Sequence, residues 1–157
     1  MNQKPDKLVP SLIGGAIIAG ISAIPGLNFI NCFCCAGIVI GGYFAVFFYV
    51  RNLPDDYPLT YSDGALLGIL AGVFGAVLST LLTLIIGFNI DQMMDQISQY
   101  MGKVPSDMEN IMELLKENSN LFLMATLAMG LVTDILFGLL GGIIGISILG
   151  KKRIQTK

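Results

Sequence analysis

From Leu8 to Val50 the chain runs forty-three positions without one Asp, Glu, Lys, Arg or His, broken near its middle by Pro25-Gly26-Leu27-Asn28. A helix rising about 1.5 Å per residue crosses a ~30 Å hydrocarbon core in roughly 20 residues, so this run holds enough chain for two spans joined by a tight turn. Two further apolar stretches follow, Tyr61 to Phe88 and Leu121 to Leu149, and once the Asp63 start is set aside Asp134 is their single internal charge. The pattern predicts an all-α, integral membrane four-helix bundle. It forms one domain over residues 1–157, with spans at about 8–24, 29–50, 64–88 and 121–149.

The sizeable polar segment, about 89–119, has its own periodicity. Ile90, Met93, Met94, Ile97, Tyr100 and Met101 recur at three and four, the spacing of one helical face. Gly102 to Pro105 interrupts that face. Ser106-Asp107-Met108-Glu109 then matches a capping box, and Met108, Ile111, Met112 and Leu115 make a second apolar face. A short amphipathic helical hairpin is expected here, covering the ends of the third and fourth spans. Its five methionines also suit an adaptable lid or partner-docking surface.

Composition agrees with a lipid solvent: 54% hydrophobic residues, 13% charged and mean hydropathy +0.75 lie outside the range of ordinary soluble domains. Four spans put both termini on one side. With the loop after the second span, that side holds Lys4, Lys7, Arg51, Lys151, Lys152, Arg153 and Lys157, against Lys103 and Lys116 on the other. By the positive-inside rule both termini are cytoplasmic, in a multi-pass protein of a prokaryotic cell membrane, and the hairpin is extracytoplasmic. Lys4, Lys7, Ser22 and Ala23 also satisfy parts of a cleaved signal peptide, but the chain continues straight into another apolar run, so an uncleaved span is expected. Phe29, Ile30 and Asn31 are too large to precede a lipoprotein cysteine at Cys32.

Glycine adds a second message. Nineteen are present, mostly inside the spans, where each would cost a soluble helix about 1 kcal/mol. In lipid, helices associate through close packing at small residues. Gly64, Gly68, Gly72, Ala76 and Thr80 follow strict four-residue spacing on the third span, as do Thr126, Gly130, Asp134, Gly138 and Gly142 on the fourth, with Gly141 and Gly145 beside them. Gly37, Gly41 and Ala45 mark the second span; Ala16 with Gly20, and Gly15 with Ala19, mark the first. These glycine-zipper stripes serve packing within one subunit, or packing plus homo-oligomerisation.

Asp134 is the first candidate for chemistry, because no span carries a Lys, Arg or His to neutralise it. A carboxylate at mid-membrane costs about 2.5–3.5 kcal/mol on insertion scales, so it is expected to be protonated or well solvated by polar groups. Counting in from the outer ends puts it level with about Gly75 to Thr80 and Gly41 to Tyr43, making Ser79, Thr80 and Tyr43 its candidate hydrogen-bond partners. Two roles compete: a proton- or cation-handling acid on a translocation path, and interhelical glue worth around 1 kcal/mol.

The second constellation is Cys32, Cys34 and Cys35 at the outer mouth of the second span. Cys32 and Cys35 have C-x-x-C spacing, and a helix N-terminus favours thiolate, which permits disulfide exchange or soft-metal binding. Three thiols without histidine leave a tetrahedral zinc site incomplete, and cysteine also serves simply as a small apolar residue. Asn28 and Asn31 are expected to cap the second helix. The block Gly14-Gly15, Gly20, Ser22-Ala23-Ile24-Pro25, Asn28, Asn31-Cys32-x-Cys34-Cys35 and Gly41-Gly42 resembles the first hairpin of a group of small uncharacterised prokaryotic four-span membrane proteins with an Asn-Cys-x-Cys-Cys turn. The resemblance covers about a quarter of the chain. It implies a four-span architecture and carries over no catalytic residue.

Enzyme templates find no purchase. Histidine is absent, removing Ser-His and Cys-His pairs, and no phosphate-cradling glycine loop with a following lysine occurs. Net charge is −2, and Lys151-Lys152-Arg153 reads as the cytoplasmic anchor of a final span, so no nucleic-acid partner is expected. No cofactor is expected. The lipid bilayer is the expected environment, with a second copy or another membrane protein as partner. The functional expectation is a non-enzymatic membrane scaffold or accessory component, against a small channel or carrier using Asp134 and a thiol-redox or soft-metal site at the cysteines.

Overall fold

A computed structural model describes residues 6–23, 35–54, 57–86 and 118–155. Four helices carry the apolar segments: α1 (Leu8–Ala23), α2 (Ala36–Arg51), α3 (Tyr61–Ile86) and α4 (Ser119–Gln155). Two stretches, Tyr61–Ile85 of α3 and Leu123–Gly150 of α4, are long and apolar enough to cross a membrane. The other two helices have 16 residues each and rise about 24 Å. The turn around Pro25, Cys32, Cys34 and the expected hairpin helices at 89–117 lie outside the described residues.

The helices turn most of their glycines inward, beside Ile18, Ile38, Val46, Tyr49, Leu67 and Ile146, and leave many other large apolar side chains outward. On α2 the buried face is Gly37, Ile38, Gly41, Gly42, Ala45, Val46 and Tyr49. The opposite face carries Tyr43, Phe44, Phe47 and Phe48, whose rings pack edge-on or tilted against one another with centroids 5.6–6.4 Å apart. On α4, Val132, Leu136, Leu140, Ile144 and Ile148 form an exposed ridge at four-residue spacing, while Gly138, Gly142 and Ile146 look inward. A water-soluble bundle turns charged and polar residues outward instead. With lipid outside, large apolar side chains lose nothing by facing out, and small ones let backbones meet.

The registers follow from those meetings. α3 and α4 run antiparallel, with Gly64 against Gly142, Gly68 against Gly138 and Gly72 against the main chain of Asp134. α1 and α3 run parallel at a constant offset: Lys7 meets Asp63 and Ser11 meets Leu67, both 56 residues apart in sequence, and Gly14 lies on Ala71. α2 packs antiparallel on α1 through Gly41 and Ile18, and parallel to α4 through Gly42 and Gly138. One carbonyl, that of Gly138, is faced by both Gly42 and Gly68, so three helices converge on a point without a side chain. α2 and α3 also touch each other, placing α1 and α4 at opposite corners. The continuous core comprises Ile18, Ile38, Ala45, Val46, Tyr49, Leu53, Leu67, Ala71 and Ile146.

Candidate functional sites

Asp134 lies in the α3–α4 seam, and its residue is only 7% exposed. Its backbone is placed by Gly72: a Cβ there would collide with the Asp134 carbonyl, so only glycine permits this approach. Because Cα–Cβ bonds tilt toward a helix N-terminus, the Asp134 side chain lies over the preceding turn, beside Gly130. There the seam relaxes. A Cβ added at Gly130 would meet only the Ala76 methyl, at 3.8 Å, an ordinary van der Waals distance.

The expected polar partners lie farther along. The hydroxyls of Ser79 and Thr80 both donate to the Ala76 carbonyl, at 3.1 and 2.8 Å, and that of Thr83 donates to the Ser79 carbonyl at 2.8 Å. Such bonds to a helix's own carbonyls satisfy polar side chains where water is scarce. Tyr43 is half-buried, with its ring edge-on to Phe44. Among the described residues, none of these three side chains hydrogen-bonds Asp134, and its carboxyl has no hydrogen-bond partner.

Of the three cysteines, Cys35 is within the described residues, half-buried and at the N-terminus of α2. It adopts a left-handed backbone, φ 53° and ψ 32°, and is the one non-glycine residue among those described with positive φ. Its carbonyl accepts the Ile38 and Val39 N–H groups, at 2.9 and 3.2 Å, and so starts the helix. Among the described residues no three Cys, Asp or Glu side chains converge as a metal site would require.

A third cluster went unread in the sequence. At the N-terminal end of α3, Thr60 and Asp63 form a reciprocal cap. The Asp63 N–H donates to Thr60 Oγ1 at 3.3 Å, while the Thr60 N–H and hydroxyl donate to Asp63 Oδ2 at 3.2 and 2.7 Å. This is a capping box with Asp in the place of Glu, and its negative charge suits the helix N-terminus. The second carboxylate oxygen, Oδ1, accepts from Lys7 Nζ at 2.5 Å across to the start of α1. That ammonium also stands 5.9 Å from the centre of the Tyr49 ring on α2. One carboxylate thus starts α3 and ties α1 to it, over a tyrosine from the third neighbour. The Tyr49 residue is 1% exposed, and its hydroxyl has no partner among the described residues. The available signals were the Thr60-x-x-Asp63 spacing and the four-residue step from Lys7 to Ser11. In the positive-inside pattern Lys7 is only one cation of a set.

Two apolar helices of crossing length, closed on two shorter apolar helices through their backbones and dressed outward in Leu, Ile and Val, fit an all-α bundle of the integral membrane class. The chain belongs to the family of the MJ1491 transmembrane domain, whose model matches residues 8–154. It is accordingly a small membrane protein of a prokaryotic transmembrane family, the level at which the family match meets the resemblance drawn from the sequence. No curated protein and no solved structure matches the chain.

Proposed function

We propose that the protein is a four-span, non-enzymatic membrane component whose glycine-packed bundle serves as a scaffold or accessory subunit, alone or as a homo-oligomer. Both termini face the cytoplasm in this reading, and the segment between α3 and α4 forms the extracytoplasmic hairpin. One observation carries it: the helices meet backbone to backbone at Gly64–Gly142, Gly68–Gly138 and Gly72–Asp134, a seam suited to holding shape. The outward ridge of Val132, Leu136, Leu140, Ile144 and Ile148 supports contact with lipid or another membrane helix. Cross-linking and native mass spectrometry in mild detergent test the oligomer clause, and a strictly monomeric chain removes it. Impermeant thiol labelling of cysteines placed at each terminus tests topology; labelling of the termini from opposite faces ends the four-span scheme.

A second reading, a small channel or carrier using Asp134, is favoured by that residue's burial without a hydrogen-bond partner among the described residues. Proton and cation flux into liposomes, compared between the native chain and Asp134→Asn, tests it. Equal flux in the two rejects the reading.

A further inference from the structure

The α3–α4 seam is two structures in one. From Gly64 to Gly72 a Cβ added at any of the facing glycines would collide with the other helix, whereas one turn beyond, at Gly130 and Ala76, the seam is loose enough to accept a methyl group. Asp134 is the last residue of the tight part, and the tilt of Cα–Cβ bonds toward a helix N-terminus leans its side chain toward the loose part. The space left by the missing Gly130 side chain therefore borders the carboxyl.

The surroundings select the sign of a ligand. α1 from Leu8 to Ala23, α2 from Ala36 to Val50 and α3 from Gly64 to Ile86 contain no Lys, Arg, His, Asp or Glu, and Asp134 is the only such residue on α4 from Ser119 to Gly150. Tyr43 and Tyr49 are the tyrosines of those helices. The Lys7–Asp63 pair is no counter-ion: it lies beside Gly64, whose partner Gly142 is eight residues from Asp134, or about 12 Å along the helix. On α3 the next oxygens are those of Ser79 and Thr80, whose protons are committed to the Ala76 carbonyl, leaving lone pairs to offer. A buried carboxyl with no donor beside it among the described residues is matched by a positive charge, and a single carboxylate neutralises one.

We propose that Asp134, with the Gly130 notch, forms a binding site for one exchangeable monovalent cation, a proton or an alkali ion, reached through the loose half of the α3–α4 seam. Binding requires neither transport nor oligomerisation, so the site stands or falls separately from the scaffold and carrier readings. A cation is the natural cargo for an intramembrane acid without a hydrogen-bond partner among the described residues.

The test uses the full chain in phospholipid vesicles and dicyclohexylcarbodiimide, an apolar reagent that adds to protonated carboxyl groups in membranes, with peptide mass spectrometry locating the adduct. Labelling at Asp134 is expected in mildly acidic buffer. A several-fold fall as the buffer is made alkaline identifies proton exchange; a several-fold fall on adding sodium at fixed pH, with no effect of choline, identifies an alkali ion. Either result supports the site. Gly130→Leu fills the notch and is expected to cut labelling several-fold while helical circular dichroism and melting stay native. Absence of the adduct in a folded native chain, labelling indifferent to both pH and sodium, or full labelling in a folded Gly130→Leu variant overturns the proposal.

Discussion

The two halves of the α3–α4 seam are built from the same four-residue spacing of small residues, yet they behave oppositely. In the half beside the Lys7–Asp63 pair, each glycine abuts a carbonyl of the other helix. In the half beyond Asp134, Gly130 faces only a methyl group at 3.8 Å, while Leu121, Met124 and Met129 stand exposed. A small-residue stripe is thus a licence for close approach rather than a guarantee of it. Approach is realised where α2 presses on the pair from the third side, with Gly42 against Gly138 and Gly142. It lapses where no described part of α2 reaches.

The sharpest way to break this comparison is Gly68→Leu. Even a Cβ at that position collides with the Gly138 carbonyl, and a full side chain would force the backbones apart. A loss of about 3 kcal/mol or more, or failure to fold, is expected in reversible unfolding followed by circular dichroism in mixed micelles. Next come the pair substitutions at the tight end. Lys7→Ala leaves a largely buried carboxylate with its cap but without its cation, and is expected to lose about 2 kcal/mol, less than a fully buried pair because the side chains keep some contact with solvent. The exchange Lys7→Asp with Asp63→Lys should recover little, since lysine cannot accept the Thr60 N–H and hydroxyl.

The loose half predicts the smaller effects. Gly130→Ala fits the available space and raises helix propensity, so stability should stay level or rise by up to about 1 kcal/mol in the same assay. Gly20→Ala sharpens the comparison from outside the seam: a Cβ there meets nothing within 4 Å, and a change of a few tenths of a kcal/mol is expected. If Gly130→Ala proved as damaging as Gly68→Ala, the distinction between the halves would fail.

Sequence pattern reached the stripes but not their pairing. The sets Gly64, Gly68, Gly72, Ala76 and Gly130, Asp134, Gly138, Gly142 stand out by spacing alone, and the structure brings them face to face. A stripe that repeats every four residues looks the same after a slip of one turn, however, so spacing cannot say which glycine opposes Asp134. Counting from the span ends put the residue level with Gly75 to Thr80, whereas its main chain lies against Gly72. Ser79 and Thr80 were legible as polar residues of a span, but a hydroxyl in an apolar medium has a carbonyl of its own helix within reach, and that local bond is silent in the sequence. The Lys7–Asp63 tie was hidden for another reason. Its partners sit on separate helices, and only the parallel docking of α1 on α3 brings them together. Cys35 is a third instance: the left-handed turn that starts α2 occurs at a cysteine, a residue without the preference for that conformation that marks Gly or Asn.

The offset between α1 and α3 bears on how the chain is made. A ribosome releases Lys7 fifty-six residues ahead of the carboxylate that will hold it. The clasp between the two helices therefore cannot close until the start of the third has been made, which ties the docking of α1 on α3 to the order of synthesis.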